Sequence, residues 1–141
     1  MQRFLCEVSM KKITIDVGTQ STYLPEQSSQ ETQRFLWSYE IIIINQSDQT
    51  VQLLNRYWHI TDMTGHIEEI RGPGVIGLQP LIKPGKRFVY NSYCQLTTPQ
   101  GSMEGYYGFQ TLEEEMFSVQ IPKFVLTSPE GVLTTFRSRL H

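Results

Sequence analysis

The sequence predicts an all-β domain built as a two-sheet antiparallel β-sandwich. Apolar residues alternate with polar ones in one segment after another, and turn residues bound each segment. No window keeps the helical spacing i, i+3, i+4, i+7 over three turns, which excludes α/β folds. Seven or eight short strands at this spacing are typical of an immunoglobulin or fibronectin type III-like sandwich, with a small barrel as the alternative.

The first strands are the most clearly marked. Residues 13–17 alternate between apolar and polar side chains and are predicted to form the first strand. Residues 35–44 form the next, and their end is apolar on both faces, which indicates a strand in the middle of a sheet. Residues 51–62 and 66–71 then make a hairpin around the Met63-Thr64-Gly65 turn.

Three further strand patterns follow a long glycine- and proline-rich loop. They cover residues 88–96, 103–109 and 117–121, and the last precedes Pro122, whose missing N–H indicates an edge strand or a bulge. The predicted core consists of the large apolar side chains on the alternating faces, namely Trp37, Tyr39, Ile41, Ile43, Trp58, Ile60, Phe88, Tyr90, Tyr107, Phe117 and Val119.

The chain has 141 residues, enough for one hydrophobic core. Residues 13–133 are predicted to form the single domain. Residues 1–12, which mix charges with short apolar runs, are predicted to be a poorly ordered leader. Residues 134–141 are predicted to be a C-terminal tail, although residues 133–140 can also be read as a final short strand.

Composition narrows the class of partner. The net charge is -2 and the pI is about 5.9, whereas domains that neutralise many phosphates are usually basic, so nucleic acid is disfavoured. Cys6 and Cys94 form no metal-ligand or disulfide pattern, which favours a reducing cytoplasm. Residues 1–12 contain no apolar stretch long enough for a signal peptide or a membrane span.

The pattern Gly72-x-Gly74-x-x-Gly77 resembles a dinucleotide-binding motif, but Pro80 and Pro84 forbid the helix that such a motif needs. Two interpretations stay open. The glycines either let the loop turn tightly, or form a nest of backbone amides for a phosphate-type anion. In the second case, Arg71 and Lys83 (with Lys86 and Arg87) would supply positive charge.

The hairpin carries weak candidates for a divalent-metal site, His59, Asp62 and His66, close to Glu68 and Glu69. His59 and Asp62 have opposite parity on one strand, so both can bind one ion only if the strand bends between them. A solvated hairpin is the alternative.

No catalytic residues are predicted. Cys94 shares a face with Phe88 and Tyr90, where a buried thiol is inert packing, and no serine occupies a nucleophile elbow. Glu113-Glu114-Glu115 is a charged turn. Arg56 lies on the same side of its strand as Trp58, and we interpret it as a structural arginine that must be paired or stacked.

From about residue 13 to residue 126 the sequence resembles the ApaG family. The resemblance is carried by ordered blocks, namely Tyr23 with Pro25-Glu26-Gln27-Ser28, Val51 to Trp58, Ile60-Thr61-Asp62, the loop from Gly72 to Pro80, Pro84-Gly85, Thr98-Pro99 to Tyr107, and Phe117 to Phe124. It implies a fibronectin type III-like sandwich, no established enzymatic activity, and a link to cobalt resistance and magnesium efflux. It also implies pyrophosphate or nucleotide binding at the glycine loop, and protein-interaction roles.

The sequence therefore predicts a cytoplasmic, non-enzymatic binding module without a cofactor. It would act through an unidentified protein partner and a phosphate-type anion at the glycine loop, such as pyrophosphate or a nucleotide. The alternative is a hydrolase of phosphoanhydrides or nucleotides that uses the Gly72–Gly77 loop with a divalent metal. The protein is expected to be a monomer or a weak homodimer, with no membrane partner.

Overall fold

The computed structural model of the chain describes residues 2–8 and 11–129. Within these ranges the chain forms nine strands and one 3₁₀ turn at Pro25–Gln27. The strands are β1 (Gln2–Val8), β2 (Lys11–Tyr23), β3 (Phe35–Asn45), β4 (Val51–Asp62), β5 (Ile67–Pro73), β6 (Leu81–Ile82), β7 (Arg87–Leu96), β8 (Gln100–Thr111) and β9 (Met116–Thr127).

Two antiparallel sheets pack face to face, which confirms the predicted sandwich. One sheet has the order β1-β2-β3-β7, and the other has the order β5-β4-β8-β9, with β6 paired to the start of β4. β3 lies inside its sheet, as its two-sided apolar pattern predicts. Of the predicted core residues, all are buried except Phe88 and Phe117, which are partly buried and pack against the core.

A bulge in β4 changes which side chains face the core. The pairing of β4 with β8 shifts between Leu53 and Asn55, so Leu54 is an extra residue in β4. Val51 and Leu53 therefore point inward before the bulge, and Trp58 and Ile60 do so after it. The strict alternation expected for residues 51–62 would place Leu54 on the same face as Trp58, and this is wrong because an unbroken period of two cannot represent a bulge.

β9 is an edge strand with a bulge beside Pro122, as the proline predicts. Its register against β8 shifts between Met103 and Gly105, where β9 contributes an additional residue. The bulge sets Glu104 opposite the irregular part of β9, at the margin of the outer face described below.

The structure differs from the prediction for the N-terminal residues. Residues 2–8 belong to the sheet as β1, paired along their length with β2, whereas a poorly ordered leader was predicted for residues 1–12. The charges that indicated a leader are compatible with an edge strand; Arg3, for example, pairs with Asp16 at 3.0 Å. The predicted tail and final strand, residues 133–141, lie outside the described residues.

The glycine-rich segment is shorter than the long loop predicted. Gly72 and Pro73 end β5, Val75 and Leu78 form an isolated bridge, and Leu81–Ile82 form β6. The segment thus follows the edge of β4 twice, first as β5 and then as β6. Within the described part of the chain, no helix is long and apolar enough to cross a membrane.

Candidate functional site

The outer face of the five-stranded sheet carries a row of side chains that crosses four strands. Tyr57 on β4 lies opposite Arg71 on β5 and Tyr106 on β8, and Tyr106 lies opposite Gln120 on β9. Side chains alternate across a sheet, so these four point away from the core while Trp58 and Tyr107 point into it. We call this row, together with His59 and Glu104, the tyrosine face.

The two tyrosines form a stacked pair with a cation above it. Their ring centroids are 4.8 Å apart at an interplanar angle of 29°. The guanidinium carbon of Arg71 lies 4.4 Å from the ring centroid of Tyr57, and its Nη1 donates to the Tyr106 hydroxyl at 3.3 Å. Nη2 of Arg71 also lies 3.8 Å from Glu69. These contacts hold three interacting side chains in one arrangement on an exposed surface.

The backbone beneath the pair depends on Gly105. A Cβ at this position would lie 1.9 Å from the carbonyl oxygen of Tyr57, so any other residue would push β8 away from β4. Burial and the nearby Glu69 carboxylate, which accepts a hydrogen bond, raise the pKa of Tyr57 above its ordinary value.

His59 and Glu104 form the next cross-strand pair on this face. Nδ1 of His59 lies 3.8 Å from a carboxylate oxygen of Glu104, which is close enough for attraction after protonation but too far for a hydrogen bond. That nitrogen is also inaccessible and has no hydrogen-bond partner within the described part of the chain. Because buried polar atoms in proteins are hydrogen-bonded as a rule, this nitrogen favours a bound ligand or water as its partner.

These residues line a depression of about 630 Å³ whose walls also include Ser118 and Gln120. The set His59, Glu104 and Ser118 has the composition of a hydrolytic triad but not its geometry. Ser118 lies opposite Gly108, four residues along β8 from Glu104, which is about 13 Å at the strand rise. The serine is thus too far from the imidazole for a nucleophile and base that must share a hydrogen bond.

The glycine loop is held by its own hydrogen bonds. The amide of Gly74 donates to Leu54 O at 2.7 Å, and Val75 and Leu78 exchange two bonds. Ile76 and Gly77, between them, both have positive φ, 44° and 78°, as a tight hairpin turn of type I′ requires. A Cβ on Gly74 would lie 2.2 Å from Leu78 O, so this glycine is needed for close packing of the loop. Two amides of the predicted Gly72–Gly77 nest, those of Gly74 and Val75, are therefore already engaged.

Arg56 is the arginine that holds the loop, which agrees with the structural role predicted for it. Its Nη1 donates to Pro73 O and to Gly74 O, both at 3.0 Å. Gly72 faces the same guanidinium, since a Cβ there would lie 2.9 Å from Nη1. This arginine thus covers the point where β5 leaves the sheet.

The predicted anion-binding cations do not converge on the loop. Arg71 is turned onto the tyrosine face. Lys83 directly follows β6, and β6 pairs with β4 about five residues before Tyr57, which lies opposite Arg71. At the strand rise this separation is about 16 Å. Lys83 is exposed beyond the other end of the segment.

The structure does not bring His59, Asp62 and His66 together. His59 lies on the outer face, whereas Asp62 and His66 border a smaller depression near the end of β7. Asp62 accepts hydrogen bonds from the Thr64 amide and hydroxyl and from the His66 amide. Partial burial acts to raise the pKa of Asp62, but these hydrogen bonds outweigh it and lower the pKa. Among the described residues there is no group of three side chains suited to a metal ion.

The thiol of Cys94 is buried, as its position on the strand predicts. Cys94 is 6% exposed, and burial, with the negative charge of Glu68, raises the pKa of its thiol to about 12. The raised pKa favours the protonated thiol, the less nucleophilic form, at neutral pH.

Sequence reasoning missed the tyrosine face. Tyr57 and Tyr106 are separated by 49 positions, and their contact depends on the β4–β8 register, which a bulge offsets. The available signal was that each aromatic stands next to a core aromatic, Trp58 or Tyr107, and so must point to the opposite side of its strand.

Comparison with known proteins identifies the family. The ApaG domain matches residues 25–111. Protein ApaG of Agrobacterium fabrum is 49% identical to this chain over 115 residues, which cover 82% of this chain and 88% of the relative. Protein ApaG of Allorhizobium ampelinum is 49% identical over 116 residues, which cover 82% of this chain and 89% of the relative. The crystal structure of the putative ApaA protein from Bordetella pertussis superposes with a TM-score of 0.80 at 38% identity, covering 83% of this chain and 95% of that one. The chain therefore belongs to the ApaG domain family.

Proposed function

We propose that the chain is a non-enzymatic binding module that contacts a protein partner through the tyrosine face. The stacked Tyr57–Tyr106 pair with Arg71 above it carries the proposal. Tyrosine and arginine are enriched among residues that dominate binding energy, because they offer large rigid surfaces and directed hydrogen bonds at low entropic cost. Core packing does not require this cluster, since it lies on the outer side of the sheet.

The geometry of the face favours binding over catalysis. Its histidine has a carboxylate neighbour, but Ser118, which lines the same depression, lies too far along the sheet to share a hydrogen bond with it, and the thiol of Cys94 is buried in the core. The tyrosine pair is already held by Arg71 before a partner arrives, so little side-chain freedom is lost on binding.

Site-specific photo-crosslinking tests the proposal in cells. A photo-reactive phenylalanine analogue at position 106 should crosslink to a discrete protein. The same analogue at Leu112, which is 71% exposed in the turn after β8, is the matched control and should not. Arg71→Ala should abolish the crosslink from position 106. Equal crosslinking from both positions, or none from position 106, would reject the tyrosine face as the binding surface.

A phosphate-type anion at the glycine loop is a separate proposal. The successive positive φ angles of Ile76 and Gly77 support it, because such a pair can turn two amides to one side. Calorimetry with pyrophosphate at low salt should show modest binding that Gly77→Ala weakens. Gly77 is suited to this test because a Cβ there meets nothing within 4 Å, whereas Gly74→Ala would disrupt the loop. No heat from the wild type at millimolar pyrophosphate would remove this site.

A turnover assay distinguishes the proposed binding module from the alternative, a hydrolase of phosphoanhydrides. Dinucleoside polyphosphates and nucleoside triphosphates with magnesium or cobalt should remain intact. Metal-dependent hydrolysis that disappears in loop variants would instead make the protein an enzyme.

Action in the cytoplasm and a link to cobalt resistance and magnesium efflux complete the proposal. Family membership and the cysteine pattern support them. Deletion of the gene should change cobalt tolerance, and Tyr106→Ala should reproduce that change if the tyrosine face is responsible.

A further inference from the structure

β7 is an edge strand without the features that usually protect an edge. It pairs with β3 over its whole length with no register shift, and its other side has no partner strand among the described residues. Between Arg87 and Leu96 it contains no further charge, no proline and no glycine. A regular, uncharged edge of this kind is a template for pairing with another chain.

The other edges contrast with β7. β1, the opposite edge of the same sheet, carries Arg3 and Glu7. β5 carries Glu68, Glu69 and Arg71 and ends in Pro73, and β9 carries Pro122 at its bulge. Charges, prolines and bulges are the devices that block edge-to-edge pairing. The contrast marks β7 as the edge left open.

The register shows which backbone groups are available. Asn45 N donates to Lys86 O, and in an antiparallel ladder the bonded pairs alternate, so the even-numbered residues of β7 bond to β3. The N–H and C=O groups of Val89, Asn91, Tyr93 and Gln95 therefore point away from the sheet. Within residues 2–8 and 11–129, no main-chain group outside β3 bonds to them.

We propose that β7 pairs antiparallel with β7 of a second copy of this chain, around a two-fold axis at Asn91. In this register Asn91 lies opposite Asn91 of the second copy, Val89 lies opposite Tyr93, and Arg87 lies opposite Gln95. Each of these pairs is complementary or neutral. Val89 and Tyr93 are 42% and 66% exposed on the outer face, and aromatic with β-branched residues are favourable cross-strand pairs. About ten main-chain hydrogen bonds would join the two four-stranded sheets into one.

The proposal is independent of the tyrosine face, which lies on the other sheet. Two matched variants test it by sedimentation velocity over a range of concentrations. Asn91→Lys places like charges opposite each other at the axis and should weaken dimerisation by more than about tenfold. Gln20→Lys makes an equal charge change at an exposed position on β2, two strands away from β7, and should leave dimerisation unchanged. Asn91→Pro removes one outward N–H without affecting the β3 ladder and should act like Asn91→Lys.

Hydrogen exchange gives a second readout. The amides of Val89, Asn91, Tyr93 and Gln95 should exchange slowly only at concentrations where the dimer forms. A wild type that stays monomeric at millimolar concentration, or equal dimerisation of Asn91→Lys and Gln20→Lys, would overturn the proposal. Slow exchange of these amides in the dilute monomer would also overturn it, because the edge would then be covered by the chain itself.

Discussion

Replacing Trp58 with alanine should destabilise the domain by about 4–5 kcal/mol, the upper part of the range for a buried aromatic. Trp58 is 2% exposed and makes edge contacts with Tyr39, Tyr107 and Phe124 at centroid distances of 5.4, 6.5 and 6.0 Å. These rings cannot easily move into the cavity that alanine would leave, because Tyr107 is hydrogen-bonded to Tyr90 across the sandwich. A domain of this size would lose roughly 12–20 °C in Tm.

Urea unfolding is the suitable assay for this variant. Trp37 is fully buried and remains as a fluorescent reporter after Trp58 is removed. Tyr106→Ala, on the outer side of the same sheet, is the matched control and should change the unfolding free energy by less than about 1 kcal/mol. A loss below about 1.5 kcal/mol for Trp58→Ala would refute the packing of β4 against β3 described here.

Two other predictions concern the loop and pH. Gly74→Ala should destabilise the domain by several kcal/mol, because its Cβ would clash with Leu78 O, whereas Gly77→Ala should cost only about 1 kcal/mol from its positive φ; equal urea midpoints for the two variants would contradict this account of the loop. Burial raises the pKa of both Tyr90 and Tyr107 above the ordinary value near 10. The native state therefore keeps these protons when the unfolded chain loses them, so stability should be full below pH 10 and should fall as the pH rises above it. Urea midpoints that stay constant from pH 9 to 11.5 would contradict this, and the Tyr90→Phe, Tyr107→Phe double variant should show a shallower fall.

The fold could be predicted largely from sequence because burial imposes a period of two on each strand. The bounds of β4 match the prediction, and β3 differs by one residue. The bulge at Leu54 was not predictable, because Leu53 and Leu54 are both apolar and either of them fits the core face. β1 was missed because an edge strand tolerates the charges that also characterise a leader.

The candidate site was less predictable for a different reason. The glycines and histidines attracted attention as local motifs, yet the glycines serve loop geometry and the histidines lie on separate surfaces. The row Arg71–Tyr57–Tyr106–Gln120 exists only once three strand registers are fixed. Pairing registers are long-range information, and a single sequence does not contain them in readable form.

A double-mutant cycle tests whether the tyrosine face is the partner-binding surface. The protein crosslinked from position 106 should be titrated against the wild type, Tyr106→Ala, Arg71→Ala and the double variant, with Leu112→Ala as control. We predict that each single variant weakens binding by about tenfold or more. The double variant should weaken it by less than the product of the two effects, because Arg71 and Tyr106 act as one hydrogen-bonded unit. Affinities of Tyr106→Ala and Arg71→Ala equal to that of Leu112→Ala would contradict the claim.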